Sequence, residues 1–352
     1  MPSHIWDEFR GRTPDTTGEE PRENSTGPRP TVRQGSPGPG ITRVGSRESL
    51  EKSIVVEQSA FTQSAAEPRL QPQSKSPDML RLAVNQLTTL AWEVDDEAIA
   101  YHKEGFRALG LWRPKLSQFG EERAAELFRE VGISVSSLSW AGGFTGSNGW
   151  SFLDSLADAR AAIKAAALVG AECLNVVSGP RSGHTDRHAR RLISQALAIL
   201  APEAADAGVT LALQPMHPDF SRSWTFVNAL DATFEVISNI EPPVKIAFDV
   251  YHLWNERRLL SRIPELAPHV ALVQLCDAWR GHRGGRRMLG DGEIPLSAIV
   301  QAFDAAGYAG YYELTTWSRL LWRQDYCELL RECRARFDNL CRRPVPAALA
   351  GN

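Results

Sequence analysis

The sequence has no excess of positive charge and no long apolar run. Its formal net charge is −3 at pH 7, whereas nonspecific contact with a phosphate backbone needs a basic face, so we expect no nucleic-acid partner. No apolar run approaches the length of a membrane-spanning helix, so we expect no membrane partner either. The N-terminus has no apolar signal core, which predicts a cytoplasmic rather than a secreted protein.

Cysteine is also scarce. The chain has five cysteines, an odd number, and their spacing fits neither a zinc site nor a disulfide framework. We therefore expect reduced thiols, as is usual for proteins of the cytosol.

Apolar periodicity is missing from the N-terminal segment, residues 1–78. This segment is rich in Pro, Gly and Ser, as in Ser36-Pro37-Gly38-Pro39-Gly40, and it cannot bury enough apolar surface to offset the entropy of ordering it. We predict a disordered extension here and a disordered tail at residues 342–352. Because Met79 stands directly before the first ordered segment, translation starting at Met79 is the alternative to a translated extension.

From Leu80 onward, short apolar runs alternate with segments of helical period, which predicts strand–helix units and a parallel sheet. Eight strands are predicted near residues 81–87, 107–112, 133–139, 172–178, 209–214, 244–249, 270–275 and 309–314. Several intervening helices should stop at a left-handed glycine: Gly132, Gly170, Gly208 and Gly307. Eight units over about 260 residues predict an α/β fold, a (β/α)8 TIM barrel spanning residues 79–341. A doubly wound open sheet is the alternative, but no Gly-x-Gly-x-x-Gly turn follows the first strand.

Polar side chains stand at the carboxyl ends of the predicted strands, where such barrels place their active sites. In Lys245-Ile246-Ala247-Phe248-Asp249-Val250-Tyr251-His252, one carboxylate interrupts an apolar run, and burying it is costly unless something pairs with it or coordinates it. The further candidates are Trp112, Lys115, Trp140, Gln214, His217, Gln274, Asp277, Arg280 and Glu313. Indole faces suit the C–H faces of a sugar ring, and polar groups suit its hydroxyls. We therefore expect a small-molecule sugar or sugar derivative as the partner.

The loop at residues 280–287 is basic and rich in glycine. It could close on an anionic group of a substrate, such as a phosphate or a carboxylate. An exposed charged loop without a function is the alternative.

At these residues the chain resembles the xylose isomerase-like barrel superfamily, and most closely its sugar phosphate isomerase/epimerase proteins. The likeness extends over about residues 80–337 and rests on five motifs taken together. They are Leu211-Ala212-Leu213-Gln214-Pro215-Met216-His217-Pro218, Ala247-Phe248-Asp249-Val250-Tyr251-His252, Cys276-Asp277, Gly290-Asp291-Gly292-Glu293-Ile294-Pro295 and Gly307-Tyr308-Ala309-Gly310-Tyr311-Tyr312-Glu313.

The resemblance implies a divalent metal site. In that family a Glu from strand five, an Asp from strand six, a His from strand seven and a Glu from strand eight typically hold the ion. Asp249 and Glu313 match this set, whereas Gln214 and Gln274 stand where the first Glu and the His are expected. An amide oxygen can still coordinate a hard cation. We therefore expect weak binding, with Mg²⁺ or Mn²⁺ favoured over Zn²⁺.

The resemblance also implies a sugar or sugar-phosphate isomerase or epimerase that works through an enediolate. Glu313 would abstract the proton, with His217, His252 or Asp277 as the other acid/base group. His252 further resembles the substrate-contacting histidine of the family, and Arg280 sits where a substrate-binding arginine can occur. Because an amide at the strand-five position cannot act as a base, aldose–ketose isomerisation, which needs one base, is favoured over two-base epimerisation.

Other functions share this scaffold. The two glutamines also allow a sugar-binding barrel without metal catalysis, and a lyase or dehydratase would need a similar enolate. A DNA-repair endonuclease is disfavoured, because such barrels build a multi-zinc site from many histidines and this chain has only eight. A homo-oligomer is compatible with the sequence.

Overall fold

The structure is a computed structural model, and it describes residues 81–146, 149–280 and 285–342. The predicted extension at residues 1–78, the start-site hypothesis at Met79 and the predicted tail beyond Arg342 lie outside the described residues. Arg342 itself ends the last helix.

Eight parallel strands form a closed barrel in which each strand pairs with the next along the chain, and the eighth pairs with the first. The predicted α/β TIM barrel is thereby confirmed. The strands are β1 Arg81–Asn85, β2 Ala108–Trp112, β3 Ser134–Gly142, β4 Ala171–Val177, β5 Thr210–Leu213, β6 Lys245–Asp249, β7 Val270–Leu275 and β8 Tyr311–Leu314.

Ten α-helices of the described residues surround the barrel or form the loops at its ends. They are α1 Val94–Lys103, α2 Arg113–Phe119, α3 Glu121–Val131, α4 Phe152–Leu168, α5 Asp186–Asp206, α6 Leu230–Ile237, α7 Val250–Leu253, α8 Leu259–Leu266, α9 Leu296–Ala305 and α10 Tyr326–Arg342. The four predicted glycine stops are confirmed, because Gly132, Gly170, Gly208 and Gly307 all have φ between 70° and 77°. Within the part of the chain that the structure describes, no helix combines the length and the apolar character that crossing a membrane requires.

The interior of the barrel has an apolar layer and, above it, a polar layer. The apolar layer is one cluster of small and medium-sized side chains contributed by seven strands: Ala83, Ala108, Cys173, Ala212, Ala247, Leu272 and Tyr311. Side chains two residues apart on a strand point to the same face. The positions two residues further along these strands are Asn85, Gly110, Asn175, Gln214, Asp249, Gln274 and Glu313. The strand period therefore brings the predicted polar residues together inside the carboxyl end of the barrel.

Candidate functional site

Glu313 is fully buried and accepts four hydrogen bonds from uncharged donors. The amides of Asn85 and Gln274 donate to its Oε1 at 2.8 and 2.9 Å. The hydroxyls of Ser136 and Ser137 donate to its Oε2 at 2.6 and 2.7 Å. A carboxylate offers about four acceptor sites, so these donors fill its capacity.

Gly110 of β2 leaves the space in which this carboxylate lies. A Cβ built at Gly110 would stand 2.2 Å from Glu313 Oε2 and 2.8 Å from Asn85 Nδ2. Because both neighbours are held by hydrogen bonds to each other, they have little freedom to move away. Glycine at position 110 is therefore needed to leave room for the buried carboxylate of Glu313.

A chain of hydrogen bonds fixes the orientation of the two glutamine amides. The indole Nε1 of Trp140 donates to Gln214 Oε1 at 2.7 Å, and an indole nitrogen can only donate. Gln214 must therefore turn its NH₂ group inward, where it lies 3.0 Å from Gln274 Oε1 and 3.3 Å from Asp249 Oδ2. With its oxygen so engaged, Gln274 donates to Glu313 at 2.9 Å. Both carboxylates thus face amide NH₂ groups and not amide oxygens.

Arg286 forms a bidentate ion pair with Asp249 at the centre of the site. Its Nη1 and Nη2 lie 3.1 and 2.6 Å from Asp249 Oδ1 and Oδ2, and both side chains are buried. Burial opposes the charge of Asp249, yet Arg286 and, to a lesser extent, His252 hold the pKa of this carboxyl below its usual range. Burial also opposes the charge of Arg286, but the carboxylate of Asp249 more than offsets it and raises the pKa of the guanidinium.

Aromatic rings enclose the same guanidinium. Its central carbon lies 4.5 Å from the ring centroid of Tyr251 and 5.1 Å from that of Trp317, distances at which a cation is attracted to a π face. Arg286 is only 4% exposed, and its Nε–H is buried without a hydrogen-bond partner among the described residues. One donor of this buried cation is therefore left unsatisfied within the packed site.

His252 follows Asp249 on the short helix α7. Its Nδ1 lies 3.2 Å from the backbone nitrogen of His217, and Arg286 Nη2 lies 3.4 Å from its Nε2. That nitrogen lies 3.8 Å from Asp249 Oδ2. The imidazole of His252 therefore contacts both members of the ion pair, Arg286 and Asp249.

A small cavity opens above the polar layer. Its volume is about 10 Å³, which is close to the space that a single water occupies. Four aromatic rings, a thioether and three polar side chains line it: Trp140, Phe220, Trp224, Trp317, Met216, Gln214, His252 and Arg286. Asp249, Gln274 and Glu313 do not line it. A ligand larger than water must displace part of this lining to reach the centre.

A second cavity of about 780 Å³ lies beside the first, over the loops that follow β4 and β5. Phe220 lines the small cavity, and the next residue, Ser221, lines the large one. Three arginines contribute to its wall, and two of them have carboxylate partners, Arg181 with Asp186 and Arg190 with Glu235. This volume lies within the usual range of small-molecule sites.

Lys115, predicted to bind substrate, belongs to a separate buried cluster. Its Nζ lies 2.8 Å from Glu97 Oε1. Gln86 and Thr89 each donate to the same carboxylate at 2.7 Å. Burial raises the pKa of Glu97 to about 7, with Lys115 acting in the opposite direction. We call these four residues the Glu97 cluster.

Three other predicted residues are not among those that line the small cavity. Asp277 accepts from the backbone N–H groups of Ala278, Gly290 and Ile294 at 2.8 to 3.1 Å, which fixes the loop after β7. Arg280 has a side chain that is 78% exposed, 4.0 Å from Glu293. Trp112 is buried, and its backbone N–H donates to Gln86. Their roles in substrate binding stay predictions.

Arg286 is the residue that the sequence did not single out. It lies in the basic loop at residues 280–287, within which only Arg280 was named as a candidate. The sequence offered two signals. Arg286 and Arg287 stand directly before Met288-Leu289-Gly290-Asp291-Gly292, and the acid at Asp249 had no partner assigned to it. The hydroxyl donors to Glu313, Ser136 and Ser137, are adjacent on β3 and both reach it where the pairing of β2 with β3 shifts register, which the alternation of strand side chains does not predict.

The donor set does not fit the divalent ion that the resemblance implies. Across residues 81–146, 149–280 and 285–342, no group of three or more His, Cys, Asp or Glu side chains could hold a metal. Both oxygens of Asp249 are taken by Arg286, and both oxygens of Glu313 are taken by uncharged donors. The expectation that amide oxygens complete the site fails, because Trp140 and Gln214 occupy those two oxygens.

Comparison with known proteins places residues 99–333 in a match to the family described as xylose isomerase-like TIM barrel. A structure of a protein from Sinorhizobium meliloti 1021 is similar at 28% identity and a TM-score of 0.70, covering 74% of this chain and 98% of that chain. No curated protein sequence matches the chain.

Two further structures share the fold at lower identity. An IolI protein with a bound zinc atom is 15% identical with a TM-score of 0.65, covering 74% of this chain and 98% of that chain. An L-ribulose 3-epimerase is 19% identical with a TM-score of 0.64, covering 78% of this chain and 99% of that chain. Such low identities carry the fold and not the reaction.

Proposed function

This chain belongs to the xylose isomerase-like TIM barrel family, and we propose that it binds a small sugar or sugar derivative at the carboxyl end of the barrel and isomerises it. What carries the proposal is Arg286, which lines a cavity walled by indole rings and whose buried guanidinium has one N–H without a partner among the described residues. A charged donor fixes a carbonyl or hydroxyl oxygen, and indole faces pack against the C–H faces of a sugar.

Isomerisation between an aldose and a ketose needs one base and a group that stabilises the negative charge developing on the substrate oxygen. Arg286 is a donor suited to that oxygen, and His252 lines the same small cavity. Glu313 is the carboxylate proposed as the base. Because four donors already occupy it, Glu313 takes up a proton only after at least one of those hydrogen bonds is lost.

A sugar-binding barrel without turnover is the second candidate, and this saturation of Glu313 favours it. All of its acceptor positions are filled by donors of the protein, so none of them faces a bound ligand in this arrangement. Binding and turnover must therefore be measured separately.

A thermal-shift screen of aldoses, ketoses and their phosphates tests binding, with Arg286→Met as the variant that should lose the shift. Arg287→Met is the matched control, since the neighbouring guanidinium lies over Trp279 and not at the cavity. Absence of any shift in the wild type across the screen would refute sugar binding.

Turnover is tested by incubating the protein in D₂O with each ligand that the screen identifies. The products are then analysed by NMR. Isomerisation predicts deuterium at the carbon next to the carbonyl together with the isomeric sugar, and loss of both in Glu313→Gln. Binding without deuterium incorporation would establish the second candidate, and loss of water from the sugar would indicate the dehydratase alternative.

A further inference from the structure

The centre of this barrel contains two buried carboxylates, and buried negative charge needs compensation. Among the described residues that contact Asp249 and Glu313, Arg286 is the one that carries a permanent positive charge. Its two Nη atoms engage both oxygens of Asp249, and the aromatic rings of Tyr251 and Trp317 lie beside it. The cation is therefore part of the protein's own packed interior.

The surrounding amides are oriented for this arrangement. Trp140 fixes the oxygen of Gln214 on the outer side, so that the amide NH₂ groups of Gln214 and Gln274 point toward the carboxylates. A metal ion would meet these NH₂ groups as it approached, whereas a guanidinium pair leaves the carboxylates free to accept from them. The hydrogen bonds that run from Trp140 to Glu313 thus orient both amides in a way that is consistent with a cation bound at Asp249 alone.

The charges of the centre balance in the same way. Two carboxylates and one guanidinium leave one net negative charge. The family set implied by the resemblance, with three carboxylates around a divalent ion, also leaves one. Two changes therefore compensate each other. Glutamine stands in place of glutamate at position 214, and a single positive charge stands in place of a double one. A divalent ion added to the present set would turn the net charge positive.

We infer that Arg286 is the resident cation of this centre, taking the place that a divalent ion has in related barrels, so that the protein folds and binds its ligand without a metal. The inference concerns the site of the proposed function and rests on it only for the ligand. The fold and the metal content can be tested with no sugar present, so failure of one claim is distinguishable from failure of the other.

The test begins with the full chain, incubated with Mn²⁺, freed of unbound ion and assayed for metal by mass spectrometry. We expect no Mn²⁺ at the centre and a melting temperature that is unchanged by EDTA. Bound Mn²⁺ that is lost in Asp249→Asn would overturn the inference, whereas Mn²⁺ retained equally by that variant lies elsewhere and agrees with it. If Asp249→Asn does not fold, a fall in the wild-type melting temperature on adding EDTA is the contradicting result.

A reconstruction provides the converse test. The variant Gln214→Glu/Gln274→His/Arg286→Met restores the family's ligand types and removes the resident cation, so it should retain Mn²⁺ and melt at a higher temperature when Mn²⁺ is present. A folded variant that retains none would contradict the assignment of these three residues. If the variant does not fold, the wild-type measurements decide.

Discussion

Among the residues that the structure describes, two pairs of a carboxylate with an Arg or Lys side chain are buried, Asp249–Arg286 and Glu97–Lys115. The two pairs differ in what each leaves unsatisfied. In the Glu97 cluster, the carboxylate accepts from Lys115, Gln86 and Thr89, and it does not line either cavity at the carboxyl end. In the other pair, Arg286 lines the small cavity, and its Nε–H is buried without a partner among the described residues.

The geometry of the paired cation explains why the pKa of Asp249 is lowered and that of Glu97 is raised. The bidentate guanidinium holds the pKa of Asp249 below its usual range despite complete burial. A single ammonium does not overcome burial at Glu97, whose pKa is raised to about 7. A pair with a planar fork thus maintains a permanent charge at the proposed ligand site, whereas the other pair joins α1 to the residues that follow β1 and β2.

The largest effect that we predict is that of Arg286→Met. Removing the guanidinium leaves Asp249 as an uncompensated buried charge, which should lower the free energy of unfolding by about 3–5 kcal/mol. Urea denaturation measures the loss, with Arg287→Met as the control that changes little. Equal stability of the two variants would mean that Asp249 is compensated by something other than Arg286.

Gly110→Ala probes Glu313, the other buried carboxylate at the centre that contains Asp249 and Arg286. The added methyl group would overlap the carboxylate that Asn85 also holds, and overpacking of this kind costs about 3 kcal/mol. Thermal unfolding monitored by circular dichroism measures the effect. An unchanged melting temperature would show that Glu313 has room to move, which would also make it a more accessible base.

Glu97→Gln should have a smaller effect than Arg286→Met. Since the pKa of Glu97 is raised to about 7, part of the population is already uncharged near neutral pH, and the amide retains some of the hydrogen bonds. We expect a loss of about 2 kcal/mol. The double variant Glu97→Gln/Lys115→Met should recover part of it in the same denaturation experiment, because it removes the stranded ammonium.

The pH dependence of stability should separate the two pairs further. Because the pKa of Glu97 is raised in the folded state, its contribution is fully present below the ordinary value of 4.5 and is lost as the pH rises through about 7. The slope is at most about 1.4 kcal/mol per pH unit. Unfolding free energies measured across this range should fall more in the wild type than in Glu97→Gln. Parallel curves would contradict the raised pKa.

Much of this architecture was predictable from the sequence because it depends on local periods. Apolar runs, helical segments and terminal glycines such as Gly132 predict the barrel, and the two-residue strand period places Asp249, Gln214, Gln274 and Glu313 on one face. What the sequence does not give is which groups satisfy them. The loop residue Arg286 reaches Asp249 across 37 positions of the chain. Likewise, the helical period places Glu97 on the buried face of α1 with Val94 and Tyr101, but it does not show that Lys115 is the partner.

The most direct test of a resident guanidinium at this centre is a crystal structure of the protein grown in Mn²⁺, with anomalous scattering used to locate the ion. Our account predicts the Arg286 guanidinium within hydrogen-bonding distance of both oxygens of Asp249 and no anomalous peak beside them. An anomalous peak between Asp249 and Glu313, with Arg286 displaced, would contradict it.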